Sequence, residues 1–304
     1  MKYGKSPLSF SQQAELLIKR GLLSEKEELI NILSKINYYR LSAYWKQFQD
    51  KTEKFYAHIS LNDIMQFYQF DEKLRNIIFM AITQIEVSLK TAFANKSSLY
   101  YKDSFFYLDI NKLPKLRNRA FEYDKLMKSI DLSCRGSNEL YYKHFQIKYG
   151  DYHNFPPIWM LIEIISFGSF CKLFSSVNFN LGKEISQDYG LNYNIMNSWI
   201  WSLNEVRNIC AHHSRLWNRT LGNKPKIPNK KNLEVWYKPA QIKNDKIFSI
   251  IFILLLICNN ADLDIKWFEQ LVELLDSYPK IPIKQMGFID NWEENSIISK
   301  YLKD

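Results

Sequence analysis

The chain has 304 residues, of which 46% are hydrophobic and 24% are charged. This balance is typical of a globular protein and excludes an intrinsically disordered one. It contains only nine glycines and nine prolines, too few for a turn-rich β fold, so a helical protein is predicted. The net charge of +9 fits a polyanionic partner such as RNA, DNA or a membrane surface, or equally a solubilising surface.

The four cysteines, Cys134, Cys171, Cys210 and Cys258, form no CxxC pair and no spacing typical of a zinc site. Scattered cysteines of this kind are typical of a reduced cytoplasmic protein. The N-terminal sequence MKYGKSPLSFSQQ lacks the apolar core of a signal peptide. The longest apolar run, residues 247–258, is too short to span a bilayer. We therefore expect a cytoplasmic protein with no membrane partner and no bound metal or cofactor.

Helix signals begin near the N-terminus. Ser9 or Ser11 can cap a first helix, and Ser24 with Glu27 forms a capping box for a second helix.

A much longer third helix is predicted to begin with a capping box of Ser60 and Asp63. From Ile64 to Leu89 its apolar residues recur at steps of three and four, interrupted at Asp71. Such a length predicts a central helix on which the others pack.

The second half of the chain also reads as helical. Helices are predicted from about residue 139 to Gly150, from 157 to 174, from 194 to 218, from 247 to 258 and from about 267 to 275. Basic segments cover residues 112–135 and 215–231, and they are expected to face a common groove.

The predicted helix over residues 194–218 is the most informative element. At about 100° per residue it separates an apolar face from a polar one. The apolar face contains Trp199, Leu203, Val206, Cys210, His213 and Trp217. The polar face contains Asn204, Glu205, Arg207, Asn208, His212, Arg215 and Arg219.

This layout separates the two adjacent histidines. His213 shares a face with tryptophans, so we expect a buried structural residue. His212 stacks on Asn208 and is flanked by cations, which can lower its pKa and suit it to act as a general base or acid. A surface histidine is more often inert. Cys210 and His212 point to different faces, so no metal site is expected.

The stretch RNICAHHSRLWNR, residues 207–219, resembles the signature of the AbiD/AbiF-type abortive-infection proteins of the HEPN superfamily. Further stretches agree with that family in the same order: RGL, INYYRLSAYW, FYQFDEKLR, IEVSLK, PPIWMLIEIISFG and MGFIDNW. The resemblance implies an all-α, HEPN-like helical bundle with additional helices, as one domain over residues 1–304 or as two packed subdomains with a boundary near residue 150. It places the RxxxxH motif at residues 207–212.

The function implied by this resemblance is a toxin-like anti-phage effector that cleaves RNA without a metal. His212 would abstract or donate the proton of a ribose 2′-hydroxyl, Arg207 would stabilise charge on the phosphate, and Asn208 would orient one of them. The expected products are a 2′,3′-cyclic phosphate and a 5′-hydroxyl. His213 also follows Arg207 closely and stays open as an alternative. Because sites of this type combine two motifs and the chain has one, a homodimer is implied.

Other residues are expected to support the motif or to bind RNA. The supporting candidates are Glu205, His213, Arg215 and Arg219. The RNA-binding candidates are Arg40, Lys112, Lys115, Arg117, Arg119, Lys224, Lys226, Lys230 and Lys231. The aromatic residues around Arg40 could stack on bases, although such a stretch is more often core, with Arg40 pairing an acid such as Asp71 or Glu86. We expect Asp71, Glu86 and Glu163 to neutralise buried arginines.

A second function stays open from the sequence. The chain could be a helical RNA-binding protein, associated with a noncoding RNA, whose RxxxxH motif has no nuclease activity of its own. A DNA-binding regulator is less favoured because no helix-turn-helix signal is present.

Overall fold

The computed structural model describes residue 4 and residues 6–302. Residues 1–3 and 5, part of the segment judged to lack a signal peptide, and residues 303–304 lie outside the described residues. The described part contains twelve α-helices: α1 Phe10–Lys19, α2 Lys26–Lys35, α3 Tyr38–Trp45, α4 Leu61–Tyr101, α5 Ala120–Gly136, α6 Leu140–Tyr149, α7 Ile158–Ile164, α8 Phe167–Ser176, α9 Phe179–Gln187, α10 Tyr193–Ala211, α11 Ile247–Asn260 and α12 Lys266–Ser277. Its only extended pairings are two isolated β-bridges. The predicted all-α class is confirmed.

Helix α4 is the central element, as predicted. Its first turn is closed by the expected capping box, in which the Asp63 amide donates to Ser60 Oγ at 3.2 Å and the Ser60 amide donates to Asp63 Oδ2 at 3.0 Å. The helix has 41 residues and is therefore about 60 Å long. Helices α3, α7, α8, α9, α10, α11 and α12 all pack against it.

Length and composition alone would allow α4 to cross a membrane. More than half of its most apolar window is buried, however, by the helices that pack on it. Helix α11 is shorter and more apolar, and every residue from Ile247 to Cys258 is buried. Buried apolar helices such as α4 and α11 are typical of the core of a soluble protein. The fold is consistent with a soluble protein.

Two serines act differently from the prediction. Ser24 does not cap α2, whose N-cap is Glu25, and its hydroxyl donates to the Glu25 carbonyl instead. Ser166 divides the helix predicted over residues 157–174, because its side chain accepts a hydrogen bond from the Ser169 amide and begins α8. Serine hydroxyls compete in this way with the bonds of a continuing helix.

The prediction that the motif helix reaches residue 218 is wrong, because α10 ends at Ala211. His213 has a left-handed backbone with φ of 52°. The His213 amide donates to the Cys210 carbonyl at 3.0 Å and the Ser214 amide to the Ile209 carbonyl at 2.9 Å. This is the Schellman arrangement that ends many helices, here with histidine where glycine is usual.

A buried carboxylate fixes the chain that leaves this turn. Asp71 of α4 is completely buried and accepts hydrogen bonds from the backbone amides of Leu216 and Trp217, the shorter one 2.6 Å long. It also accepts from the Tyr44 hydroxyl at 2.6 Å and pairs with Arg75 at 2.5 Å. The expectation that Asp71 neutralises a buried arginine is confirmed. One side chain therefore joins α3, α4 and the segment after α10.

Replacing Asp71 by Ala should destabilise the protein strongly. The change leaves a buried guanidinium, a hydroxyl and two amides without their acceptor, and breaking a buried ion pair on one side costs about 3–5 kcal/mol. Urea denaturation followed by circular dichroism measures the loss. Asp131→Ala, which breaks the exposed pair between Asp131 and Arg135, is the control and should cost less than about 1 kcal/mol. Equal losses in the two variants would contradict this role of Asp71.

Candidate functional site

The RxxxxH motif covers the end of α10 and its C-cap, His212, and α10 packs against α4, α8 and α9. Its apolar face is buried as predicted, including Trp199, Leu203, Val206 and Cys210. Burial raises the pKa of the Cys210 thiol to about 12, so the thiol stays neutral near neutral pH and is a poor nucleophile. The polar face presents Arg207 and the exposed Asn208.

Arg207 is held against α4. Its Nε lies 3.8 Å from Glu86 Oε2, and its guanidinium carbon lies 5.7 Å from the centre of the Phe79 ring. The side chain is 34% exposed, yet Nε is buried and has no hydrogen-bond partner among the described residues. The charge of the guanidinium thus lies beside α4, and part of the side chain is open to a ligand such as phosphate.

Glu86 is shared between two cations. Its Oε1 lies 2.9 Å from Lys90 Nζ, and the nearly buried Lys90 also donates to the Ile165 carbonyl at 3.0 Å. Glu86 was expected to neutralise a buried arginine, whereas it pairs with a buried lysine and a partly exposed arginine. Sequence reasoning missed Lys90, although the spacing of four between Glu86 and Lys90 is the usual signal for a helical ion pair.

Glu163 was also expected to neutralise a buried arginine, and this is wrong. It is exposed on α7. Its apolar neighbours in the sequence suggested burial, but the break of the helix at Ser166 shortens the element on which the predicted face was drawn.

The two histidines differ in backbone conformation, and not in the exposure of their side chains to solvent. His212 is the C-cap, and its amide donates to the Asn208 carbonyl at 3.0 Å, so it continues the helical register one turn after Asn208. Both histidines are exposed. The prediction that His213 is buried is wrong because the left-handed turn takes it off the helix before the apolar face reaches it. Trp217 is still buried, but after that turn.

Arginines surround the turn at the end of α10. Arg40 of α3 is exposed and donates from Nη1 to the His213 carbonyl, so the expected pairing of Arg40 with Asp71 or Glu86 is wrong. Arg215 donates to the Ala43 carbonyl at 3.2 Å, and Arg219 donates to the Arg215 carbonyl at 3.4 Å. Cations at the carbonyl end of a helix are favoured by its dipole, and they make this end of the motif basic.

Glu205 anchors the basic loop that follows. Its carboxylate accepts the Gly222 amide at 2.9 Å and also the Asn223 amide. Farther along, Ser198 Oγ accepts the Lys226 amide at 2.9 Å, while the Trp199 indole donates to the Lys226 carbonyl at 2.9 Å. Glu205, expected to support the motif, therefore holds the loop along α10.

The two basic segments approach each other near the start of α10. Lys115 Nζ lies 3.2 Å from the Tyr193 hydroxyl and 4.6 Å from the centre of its ring. Burial and, to a smaller extent, the charge of Lys226 lower the pKa of Lys115. The backbone of Lys226 is bound by Ser198 and Trp199, on the same part of α10 as Tyr193. Lys112 pairs with Asp103 at 2.6 Å instead. The remaining candidates on these segments are exposed: Arg117, Arg119, Lys224, Lys230 and Lys231.

Across the described residues, no three His, Cys, Asp or Glu side chains come together as metal ligands would. Besides the carboxylates of Glu86 and Glu205, the side chains at the motif are cations, hydrogen-bond donors and two imidazoles. Such a set can bind a phosphate and move a proton beside it.

Comparison with known proteins gives one match. Residues 31–218 match the family described as Abi-like protein, and this range includes the central helix, the motif and the turn held by Asp71. No curated protein and no solved structure matches the chain. The family name indicates a role in abortive infection. Because the match covers more than half of the sequence, the chain belongs to the Abi-like protein family.

Proposed function

We propose that this protein is a metal-independent endoribonuclease of the HEPN type, of the AbiD/AbiF group, which acts in the cytoplasm during abortive infection. One observation carries the proposal. An exposed imidazole, that of His212, ends the same helix on which Arg207 lies beside α4 with its side chain partly exposed.

Each motif residue has a chemical role in this proposal. His212 takes the proton of a ribose 2′-hydroxyl while the 2′-oxygen forms a bond to phosphorus. The bond from phosphorus to the 5′-oxygen breaks, and that oxygen takes a proton from water or from a second imidazole. Arg207 stabilises the charge that accumulates on the phosphate. Asn208, one turn before His212, orients the imidazole or the phosphate.

The basic surface supports RNA as the substrate. Lys115 and the backbone of Lys226 both contact the first part of α10, and exposed basic residues continue on both segments. A phosphate backbone is an anionic ligand that such a basic surface attracts.

A second candidate function is RNA binding without cleavage. It is favoured by the contact of Arg207 with Glu86, which partly neutralises the guanidinium. The same basic surface would then hold a noncoding RNA. Binding without cleavage by the wild-type protein supports this alternative.

Cleavage of cellular RNA tests the motif. His212→Ala and Arg207→Ala should each lower the rate by about a hundredfold or more, because each removes a group that acts only in the transition state. His213→Ala is the matched control and should keep most of the activity, since its side chain leaves the helical register. Chelation by EDTA should change nothing. Gels of the RNA and circular dichroism of each variant measure activity and folding.

The assignment would be wrong if a folded His212→Ala protein cleaved like the wild type while His213→Ala was inactive. Loss of cleavage in EDTA would refute the metal-independent step.

We also propose that two copies form the active unit. A row of exposed, uncharged residues follows α4; we call it the α4 stripe. It consists of Asn76, Met80, Thr83, Val87, Thr91 and Asn95. Met80 is 50% and Val87 54% exposed, and the threonine hydroxyls donate to carbonyls of their own helix at 2.8 and 2.9 Å. Such a surface suits burial against a protein.

The α4 stripe borders the motif. Two residues that contact Arg207 lie next to the stripe in the sequence: Phe79 directly precedes Met80, and Glu86 directly precedes Val87. A second copy packed on the stripe would therefore bring two Arg207 side chains near each other, as a composite site from two single motifs requires.

The variant Met80→Asp with Val87→Asp should be monomeric and should lose cleavage, because two carboxylates cannot be buried in that interface without partners. Light scattering after size exclusion gives the mass, and the RNA gel gives the activity. The control, Leu132→Asp with Leu140→Asp, changes two exposed leucines of α5 and α6 and should alter neither. A wild-type monomer that cleaves RNA at full rate would refute the dimeric site.

A further inference from the structure

A cavity lies beside α3 rather than over the motif. It has a volume of about 780 Å³ and lies between the end of α1, α3 and the turn over residues 46–53, with residues 6–8 at its edge. Pockets of roughly 300–1,000 Å³ are the size that encloses a small organic group. Nothing in the roles given above for the motif uses this cavity.

Three aromatic rings of α3 form its wall. Tyr38 packs edge to face on Trp45, with ring centres 4.9 Å apart, and on Tyr39, at 5.6 Å. Trp45 is buried, whereas Tyr39 is 70% exposed. The inner rings thus hold a third ring whose surface is largely open to solvent. An exposed tyrosine supported in this way offers a planar face for stacking.

Polar groups complete the wall. Arg20 donates to the Tyr38 hydroxyl at 3.1 Å and pairs with Glu53. Gln49 donates from its side-chain amide nitrogen to the Glu53 carbonyl at 3.0 Å. The amide oxygen of Gln49 takes no part in that bond and can accept another one. The exposed Lys46 lies at the rim. The lining therefore combines a flat aromatic face, hydrogen-bonding groups and cations.

The cavity and the motif lie on different sides of helix α3. Tyr38, Tyr39 and Trp45 face the cavity, while Arg40 donates to the carbonyl of His213, the residue after His212. Tyr39, whose ring is open to solvent, is followed directly in α3 by Arg40, which contacts the turn after His212.

We infer that this cavity is a subsite for one unpaired base of the RNA strand, across α3 from the phosphate held at His212. Unpaired bases stack on tyrosine faces and expose edges that hydrogen-bond to amides, and cations on either side hold the flanking phosphates. The inference rests on the proposed binding of RNA, and it adds the requirement that one base near the cleaved bond is flipped out of its stack.

The first test uses nucleotides alone, with the full-length protein. Nuclear magnetic resonance titrations compare the four nucleoside 5′-monophosphates with ribose 5-phosphate, which lacks a base. Nucleotides should bind about tenfold more tightly than the sugar phosphate, and Tyr39→Ala should abolish that difference. Tyr152→Ala, which removes a tyrosine that is 91% exposed elsewhere, should preserve it.

The second test uses a short single-stranded RNA with a mapped cleavage site, bound to the His212→Ala protein so that it stays intact. Fluorescence anisotropy measures its affinity as each base in turn is replaced by an abasic residue. Loss of one base near the cleaved bond should weaken binding about tenfold, and Tyr39→Ala should weaken it by the same factor. The two changes together should weaken binding no more than either alone.

Additive losses, or a Tyr39→Ala protein that binds RNA and nucleotides like the wild type, would overturn the subsite even if the wild type cleaves RNA. If no RNA is cleaved, the nucleotide titration still decides: selective binding lost in Tyr39→Ala supports the subsite while the proposed nuclease activity fails.

Discussion

The carboxylate of Asp71 is the interaction on which the rest of the site depends. Taking a charge into the core is unfavourable unless donors surround it, and here a guanidinium, a hydroxyl and two backbone amides do so. The two amides belong to Leu216 and Trp217, only a few residues after the motif. Because α10 has just ended in a left-handed turn, this attachment determines where His212 and Arg215 lie relative to α3 and α4.

Two helices, α4 and α3, contact the motif and the turn that follows it. Helix α4 supplies Glu86 and Phe79, which hold the Arg207 side chain, and its exposed stripe runs beside them. Helix α3 supplies Arg40 to the turn on one side and the aromatic cavity on the other. The proposed chemistry, the proposed dimer and the proposed base subsite therefore depend on the same pair of helices and on the buried carboxylate that joins them.

The sequence predicted what local signals encode. The capping box at Ser60, the apolar period of α4 and the buried apolar face of α10 appear in the structure as expected. The end of α10 was missed because a histidine takes the left-handed position for which glycine is the usual signal, and a helical projection carried past that point gives His213 the wrong surroundings. The partners of buried charges were predicted only in part. Asp71 pairs with an arginine as expected, whereas Glu86 pairs with Lys90. The sequence offers several possible cations for each acid, and tertiary packing decides between them.

The most direct test of the account is an RNA in which the nucleotide on the 5′ side of a mapped cleavage site carries a single 2′-deoxy substitution. If His212 activates the 2′-hydroxyl, the unmodified RNA yields a 2′,3′-cyclic phosphate and a 5′-hydroxyl, and the substituted bond stays intact because its nucleophile is missing. Cleavage of the substituted bond, or ends that carry a 3′-hydroxyl and a 5′-phosphate, would mean that water attacks the phosphate and would contradict the mechanism assigned to Arg207 and His212.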